Sequence, residues 1–546
     1  MEKADASAEP LQEEKVETPT DLPREEQEDA SAEPLQEEKN ESVEDSSSEN
    51  RRETISEYPE LFDYFRQIAA IPHGSFHTQA LSSWLEQFAV QKGLPYVRDE
   101  AGNVMICRPA SPGCEKAAPV ALQGHIDMVC EKFASNPIDM EKEAITLIRE
   151  GDWLRADGTT LGGDDGIAVA IMLSLLADDT LVCPPLECIF TVDEEVGLLG
   201  AAALDLSGLE SRRMINIDSE KEGILTAACA GGAEEVCTLT ARRREKKGLV
   251  LELRVSGLQG GHSGERIGEG RANAVLLLAR LLYRLEKSGK YCIIRIDGGT
   301  RDNAIPRDAE AELLFTGKAD RSRVLEAVST FAREIAGEYS VTDPEIRIFA
   351  QWREDEDQEG TSDIGTKKEH HMVFSRKDSR RLVRFLMTLP NGVIEYSPLY
   401  KGIPQTSLSL GIVKTLDDGV RIHSLVRSSI NSQKQMLMDR IDCIAEQFGA
   451  AVETRGSYPA WELVEHSDFR DLALQVYQRL TGREAEVQVT HGGLECGLLA
   501  AKVPGLDCIS VGPDMEEIHT PSERLSIPSS LRTYAFIREL LAACAV

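Results

Sequence analysis

No C-x-x-C pair occurs among the twelve cysteines, so neither a thioredoxin-type redox pair nor a cysteine-rich zinc module is encoded. Most of the cysteines stand singly in apolar runs such as VMICR, LECIF and YCIIR, as buried free thiols of a reducing compartment do. No basic segment followed by an apolar one opens the chain, which argues against secretion and for a cytoplasmic protein. The longest apolar stretch, IAVAIMLSLLA at 167–177, is too short to cross a bilayer and ends in two aspartates, so no membrane is expected as a partner. Basic residues are in deficit: 60 Lys and Arg against 93 Asp and Glu give a net charge of −33. Without a basic footprint, nucleic acid is excluded as a ligand. Also missing are a G-x-S-x-G elbow, an H-E-x-x-H helix, a Walker loop and a G-x-G-x-x-G turn, which removes the commonest hydrolase and nucleotide-binding signatures.

What is present begins with an acidic segment. Residues 5–15 (DASAEPLQEEK) recur unchanged at 29–39, and 1–54 holds nineteen acidic residues, six basic ones and no aromatic. Such a stretch buries too little apolar surface to offset its conformational entropy, so 1–54 reads as a disordered tail. From about residue 57 to 235, apolar runs alternate with amphipathic stretches. NVMICRP, APVALQGHIDMV, LECIFTVDEE and RRMINIDSE read as buried strands; LSSWLEQFAVQKG and GIAVAIMLSLLADD read as helices. The alternation predicts an α/β domain with a mostly parallel central sheet, whose site lies beyond the C-terminal strand ends.

Five residues of metal-ligand type follow in order: His125, Asp164, Glu195, Asp218 and His519. Two imidazoles, two terminal carboxylates and one bridging carboxylate would hold a pair of Zn²⁺-type ions roughly 3.5–4 Å apart. His519 lies far along the chain from Asp218 yet must meet it, so the segment between should loop out as its own domain. GLVLELRVSG and YCIIRIDGG as strands, with ANAVLLLARLLYRLEKSG and SRVLEAVSTFAREIAGEY as helices, predict an inserted α+β sandwich. Within it, 352–371 is polar and aperiodic, a predicted mobile loop. The expected division is a tail at 1–54, a catalytic domain in two parts at 55–243 and 454–546, and a lid domain at 244–453.

Taken singly, each motif has a plainer reading. The strand period places His125 and Asp127 on one face, and a ligand histidine usually donates its other N–H to a carboxylate. Asp164 and Asp165 precede a helix in a glycine-rich turn, where capping is as available as ligation. Three acids after a strand in FTVDEEVG repel one another unless cations are near. If Glu195 binds metal, Glu194 is free to act as general base; an exposed acidic turn is the alternative. His262 in GGHSG reads either as a donor to a developing oxyanion or as an incidental turn residue. Arg427 suits a peptide carboxylate or a surface ion pair. His491 and Glu495 in THGGLECG fall outside the metal count and could shape the substrate pocket or support the ligands.

The motifs QGHIDMV, GTTLGGDDGIA, DEEVG, INIDSE, CAGG, GLQGGHSGERI, GGTRDNAIPR, THGGLECG and the final His-x-Pro segment, in that order over about 57–546, resemble the M20 metallopeptidase family. The match is close to its aminoacyl-histidine dipeptidase branch, the carnosinase-like cytosolic Xaa-His dipeptidases. The resemblance implies a di-zinc catalytic domain with an inserted lid. By motif, His125 and His519 would be terminal ligands on different metals, Asp164 the bridge, and Glu195 and Asp218 the remaining ligands. Asp127 would orient His125, Glu194 would be the general base, and His262 and Arg427 would contact substrate. The implied activity is hydrolysis of unblocked dipeptides, preferentially Xaa-His including β-alanyl-histidine, with two divalent ions, Zn²⁺ first and Mn²⁺ or Co²⁺ as alternatives. A homodimer through the lid is a further family expectation. An N-acyl amino acid deacylase of the same superfamily, or a non-catalytic peptide-binding protein on this scaffold, are the competing readings. Two departures stand out: GGDDG replaces the family's G-A-D-N-G, adding the Asp165 charge beside the metals, and HTP replaces HSP.

Overall fold

The computed structural model describes residues 60–316, 320–353 and 369–545. The acidic segment read as a tail lies outside them. So do residues 354–368 of the stretch read as a mobile loop; its ends belong instead to strands Arg347–Trp352 and Glu369–Phe374, both paired antiparallel with Arg243–Ser256.

A first sheet has eight strands in the order Tyr96–Arg98, Val104–Arg108, Leu186–Thr191, Val120–His125, Arg213–Asn216, Asp507–Ser510, Ile224–Cys229 and Glu486–Thr490. Its middle four strands are mutually parallel, while antiparallel pairs join the flanks, so the sheet is mixed. Val120–His125 and Leu186–Thr191 are buried along their whole length, as expected of strands covered on both faces. Their side chains alternate accordingly. Leu122, Cys188 and Phe190 join a core with helices Glu60–Ala69, Gly163–Ala177 and Ile527–Cys544, while Ala121 and Ile189 share a second cluster with Leu499 of helix Cys496–Lys502 and Val503 just after it. The register sets His125 against Thr191 and Gln123 against Asn216. The central strands therefore end within two residues of one another, and the turns that follow them share one edge.

The second sheet is antiparallel, running Arg347–Trp352, Arg243–Ser256, Ala309–Phe315, Tyr291–Gly298, Pro404–Leu416, Gly419–Ser428, Gly231–Thr240 and Ala451–Tyr458. Helices Ala274–Leu285, Arg321–Glu338, Arg376–Thr388 and Asn431–Phe448 supply its own core, the α+β sandwich expected from sequence. The sheet takes in Gly231–Thr240, upstream of residue 244. The chain crosses between the sheets at two adjacent points, where Cys229 bridges Trp461 and Gly232 pairs with Tyr458. Only glycine fits the first crossing, since a Cβ on Gly231 would lie 2.4 Å from the Ala460 nitrogen. Among the described residues, no helix is long and apolar enough to cross a membrane.

Candidate metal centre

All five ligand candidates come together at that edge of the first sheet. His125 is the last residue of its strand and 1% exposed. Its Nε2 lies 3.1 Å from Asp164 Oδ1 and 3.9 Å from Asp218 Oδ1. His519 Nε2 lies 3.1 Å from Asp164 Oδ2 and 2.8 Å from Glu195 Oε1. The two oxygens of Asp164 therefore face two different histidines. Ligand atoms about 2.0–2.1 Å from a tetrahedral ion stand roughly 3.3 Å apart, close to these separations, so the donor set fits a cation on each side of Asp164. Two overlapping groups have the reach to hold an ion: His125 with Asp164 and Glu195, and His125 with Asp165 and Asp218.

The electrostatics make the same demand. Burial, opposed by His125 and reinforced by Asp165 and Asp164, pushes the Asp218 carboxyl well above the usual range. Burial likewise raises Glu195, with Asp164 adding to it. Burial pulls the His519 imidazole down, yet Asp164 and Glu195 together drive it up to about 11. So many carboxylates in one buried place require positive charge, which divalent ions supply. Asp165, read from sequence as a capping candidate and as an added charge, is fully buried, and its Oδ2 accepts the backbone N–H of His125 at 3.2 Å.

Asp127 contacts His125 through both its backbone and its carboxylate. The strand stops at His125, so the alternation of side chains ends there. The backbone carbonyl of Asp127 receives His125 Nδ1 at 2.9 Å, and the carboxylate stands 3.5 Å from the same nitrogen. That carboxylate also accepts Ser75 Oγ at 2.8 Å and the N–H groups of Glu194 and Glu195 at 2.9 and 3.3 Å. Asp127 thus fixes His125 through its backbone and carboxylate, and the Glu194 loop through its carboxylate. Glu194 belongs to neither ligand group. Burial raises its carboxyl well above the usual range, with His125 opposing and Asp218 and Glu195 adding.

Glu523 is a functional residue that no local signal revealed. Its carboxylate accepts the backbone N–H groups of Leu161, Gly162, Gly163 and Asp164, at 2.7, 3.2, 2.8 and 3.4 Å. It therefore holds the turn that presents Asp164, from more than 350 residues away in sequence. Burial and the Asp164 charge push its own carboxyl up to about 7, against those bonds. Glu523→Ala would leave buried N–H donors unsatisfied, at about 1–3 kcal/mol each. We expect a stability loss of about 3 kcal/mol in denaturant titration, with weaker metal retention; a loss under about 1 kcal/mol would show that the turn holds itself.

His262 and Arg427 meet each other: Arg427 Nη2 donates to His262 Nε2 at 3.3 Å and Nη1 to the Tyr458 hydroxyl at 3.3 Å. His262 is thereby left with Nδ1 as its donor, 3.4 Å from Glu265 Oε1. Glu265 is held below the usual range by His262, against burial, with a longer-range pull from His519. The GGHSG loop thus lies within electrostatic reach of the metal ligands. His491 Nε2 pairs with Ser407 Oγ at 2.7 Å, linking the two sheets. Glu495 Oε2 accepts Gln123 Nε2 at 2.5 Å and Thr191 Oγ1 at 2.6 Å, bracing the strand ends that carry His125 and Glu194.

The model of peptidase family M20/M25/M40 matches residues 121–543. The cytosol non-specific dipeptidase of Escherichia coli (strain K12) is 35% identical over 484 residues, covering 88% of this chain and 96% of that relative. The crystal structure of aminoacylhistidine dipeptidase from Vibrio alginolyticus matches with a TM-score of 0.75 and 32% identity, covering 88% of this chain and 96% of its own. Aminopeptidase PepT from Bacillus cereus, at 16% identity and a TM-score of 0.51 over 89% of this chain and 98% of its own, shares the fold.

Proposed function

The chain belongs to peptidase family M20/M25/M40, and from that membership we propose a cytoplasmic metallo-dipeptidase that cleaves unblocked dipeptides, with Xaa-His peptides preferred. The observation that carries the reading is Asp164, whose two oxygens address His125 and His519 separately. His125 and Asp218 would hold one ion and His519 and Glu195 the other, with Asp164 between them. Zn²⁺ suits imidazole and carboxylate ligands, and Mn²⁺ or Co²⁺ are the alternatives. When bound, such a pair polarises the scissile carbonyl and acidifies a water to near neutral pH.

The side chains do the rest. Glu194 accepts a proton from the attacking water on its carboxylate and delivers it to the departing amine nitrogen. Asp127 keeps that carboxylate in place through the backbone of its loop. In the substrate complex His262 turns its Nδ1–H from Glu265 to the oxygen that gains charge, and Arg427 pairs with the free carboxylate end of the peptide. We keep the discontinuous catalytic domain with an inserted lid, but move the expected boundaries of 243/244 and 453/454 to the crossings near 230 and 460, because Gly231–Thr240 and Ala451–Tyr458 belong to the second sheet. The preference for Xaa-His is supported by the Vibrio alginolyticus aminoacylhistidine dipeptidase, similar over 88% of this chain; the Escherichia coli relative is named non-specific.

The test is a panel of β-alanyl-histidine, other free dipeptides, and N-acetylated and C-amidated counterparts, assayed before and after chelation and after Zn²⁺ or Mn²⁺ re-addition. We expect free Xaa-His peptides to be cleaved, chelation to abolish turnover and metal to restore it, and amidation to raise KM by removing the partner of Arg427. Faster cleavage of the N-acetylated substrates would make the protein a deacylase instead. No cleavage of any, with two ions bound, would favour a binding protein.

A further inference from the structure

Among the described residues, five that are not glycine hold a positive φ: Phe76 at 66°, Asp193 at 53°, Leu198 at 61°, Glu517 at 54° and His519 at 60°. A residue with a Cβ is strained there, and such strain gathers at functional sites. Four of the five are accounted for by the metal centre. Asp193 and Leu198 bracket Glu194 and Glu195, His519 is itself a ligand candidate, and Glu517 lies two residues before it. Phe76 is the fifth, and neither the metal ligands nor the proton path uses it.

Its surroundings are those of the same site. The Phe76 backbone N–H donates to Asp193 Oδ1 at 2.6 Å, tying one strained residue to another. The preceding Ser75 hydroxyl donates to Asp127, the carboxylate that also holds the Glu194 loop. The following His77 stands 3.8 Å from Glu141. Yet the Phe76 side chain is 59% exposed. The fold thus keeps an aromatic ring largely in water, on a backbone conformation that glycine would adopt freely, beside the loop of the general base. Core packing gives no reason for a phenylalanine here, because most of the ring is unburied.

We propose that Phe76 is a specificity-determining residue whose ring receives the side chain of the dipeptide's amino-terminal residue. This rests on the dipeptidase reading. Arg427, on the second sheet, takes the carboxylate end, so the wall beside Glu194 borders the residue at the other end. A phenyl face gains contact area with a large apolar or planar side chain and almost none with glycine.

The experiment compares metal-loaded wild type with F76A, F76G and F76Y on Gly-His, Ala-His, Leu-His and Phe-His. In F76A and F76G the KM for Leu-His and Phe-His rises about 5–10-fold, in line with aromatic contacts measured elsewhere. The KM for Gly-His changes less than about twofold, since glycine offers the ring little to bury. F76Y, which keeps the ring, retains the wild-type ranking of the four substrates. F76G melts at a higher temperature than F76A, because neither has the ring and only glycine relieves the backbone. An equal change across all four substrates, no change at all, a loss in kcat rather than KM, or F76G no more stable than F76A would overturn the inference while leaving the dipeptidase reading intact. A metal-loaded wild type that cleaves none of the four would overturn that reading and this inference with it.

Discussion

Glu194→Gln should bind both metal ions as the wild type does and lose most of its turnover, kcat falling about 10²–10⁴-fold, the usual contribution of a general acid–base residue. Three features lead to this expectation. Glu194 is not one of the five proposed ligands, His125, Asp164, Glu195, Asp218 and His519, so its replacement removes none of them. Its place in the loop is set by its backbone N–H, which donates to Asp127 at 2.9 Å, and glutamine keeps that bond. What changes is the carboxylate itself. Burial raises its pKa, against the pull of His125 and with the push of Asp218 and Glu195, which brings an ordinary weak base closer to the strength that proton transfer near neutral pH requires. An amide of the same shape cannot accept the proton. Metal content by elemental analysis and steady-state kinetics on one dipeptide decide the matter. Turnover above about 10% of wild type would take Glu194 out of the proton path.

The fold was legible wherever burial imposed a period. Val120–His125 and Leu186–Thr191 are continuous apolar runs because both their faces are covered, and Ala274–Leu285 shows its helical stripe because only one side meets the core. The order of the five ligand types was legible too, since each follows a strand or turn of recognisable pattern. What stayed hidden depends on contacts between distant segments or on backbone angles. Nothing near Glu523 announces that its carboxylate caps a turn at 161–164. The dual use of Asp127 follows from where the strand stops, a boundary that alternation alone does not mark. Gly231–Thr240 joins the second sheet through its pairing with Gly419–Ser428 and Ala451–Tyr458, strands far along the chain, so its membership could not be read locally. Phe76 is an unremarkable letter in HGSFHT until its φ is known.

His519→Ala should lower the metal content from two ions to one while the fold survives. The side chain is 45% exposed and sits in a loop, so its removal opens no core cavity. Its Nε2 is the group that faces both Asp164 Oδ2 and Glu195 Oε1, and without it the second ion keeps two carboxylates and no imidazole. Loss of a residue that merely supports a ligand typically costs 10–100-fold in affinity, so loss of a ligand itself should exceed about 100-fold and empty that side of the centre on dialysis. The other side should stay filled, because His125, Asp218 and Asp164 Oδ1 are untouched. The contrast with Asp164→Ala sharpens the claim: that change removes the oxygen common to both sides, and both ions should be lost. Calorimetric titration with Zn²⁺ after chelation would read one tight site in His519→Ala and none in Asp164→Ala. Two tight sites in His519→Ala would remove the residue from the ligand set. One remaining site in Asp164→Ala would mean that the two ions do not share the carboxylate.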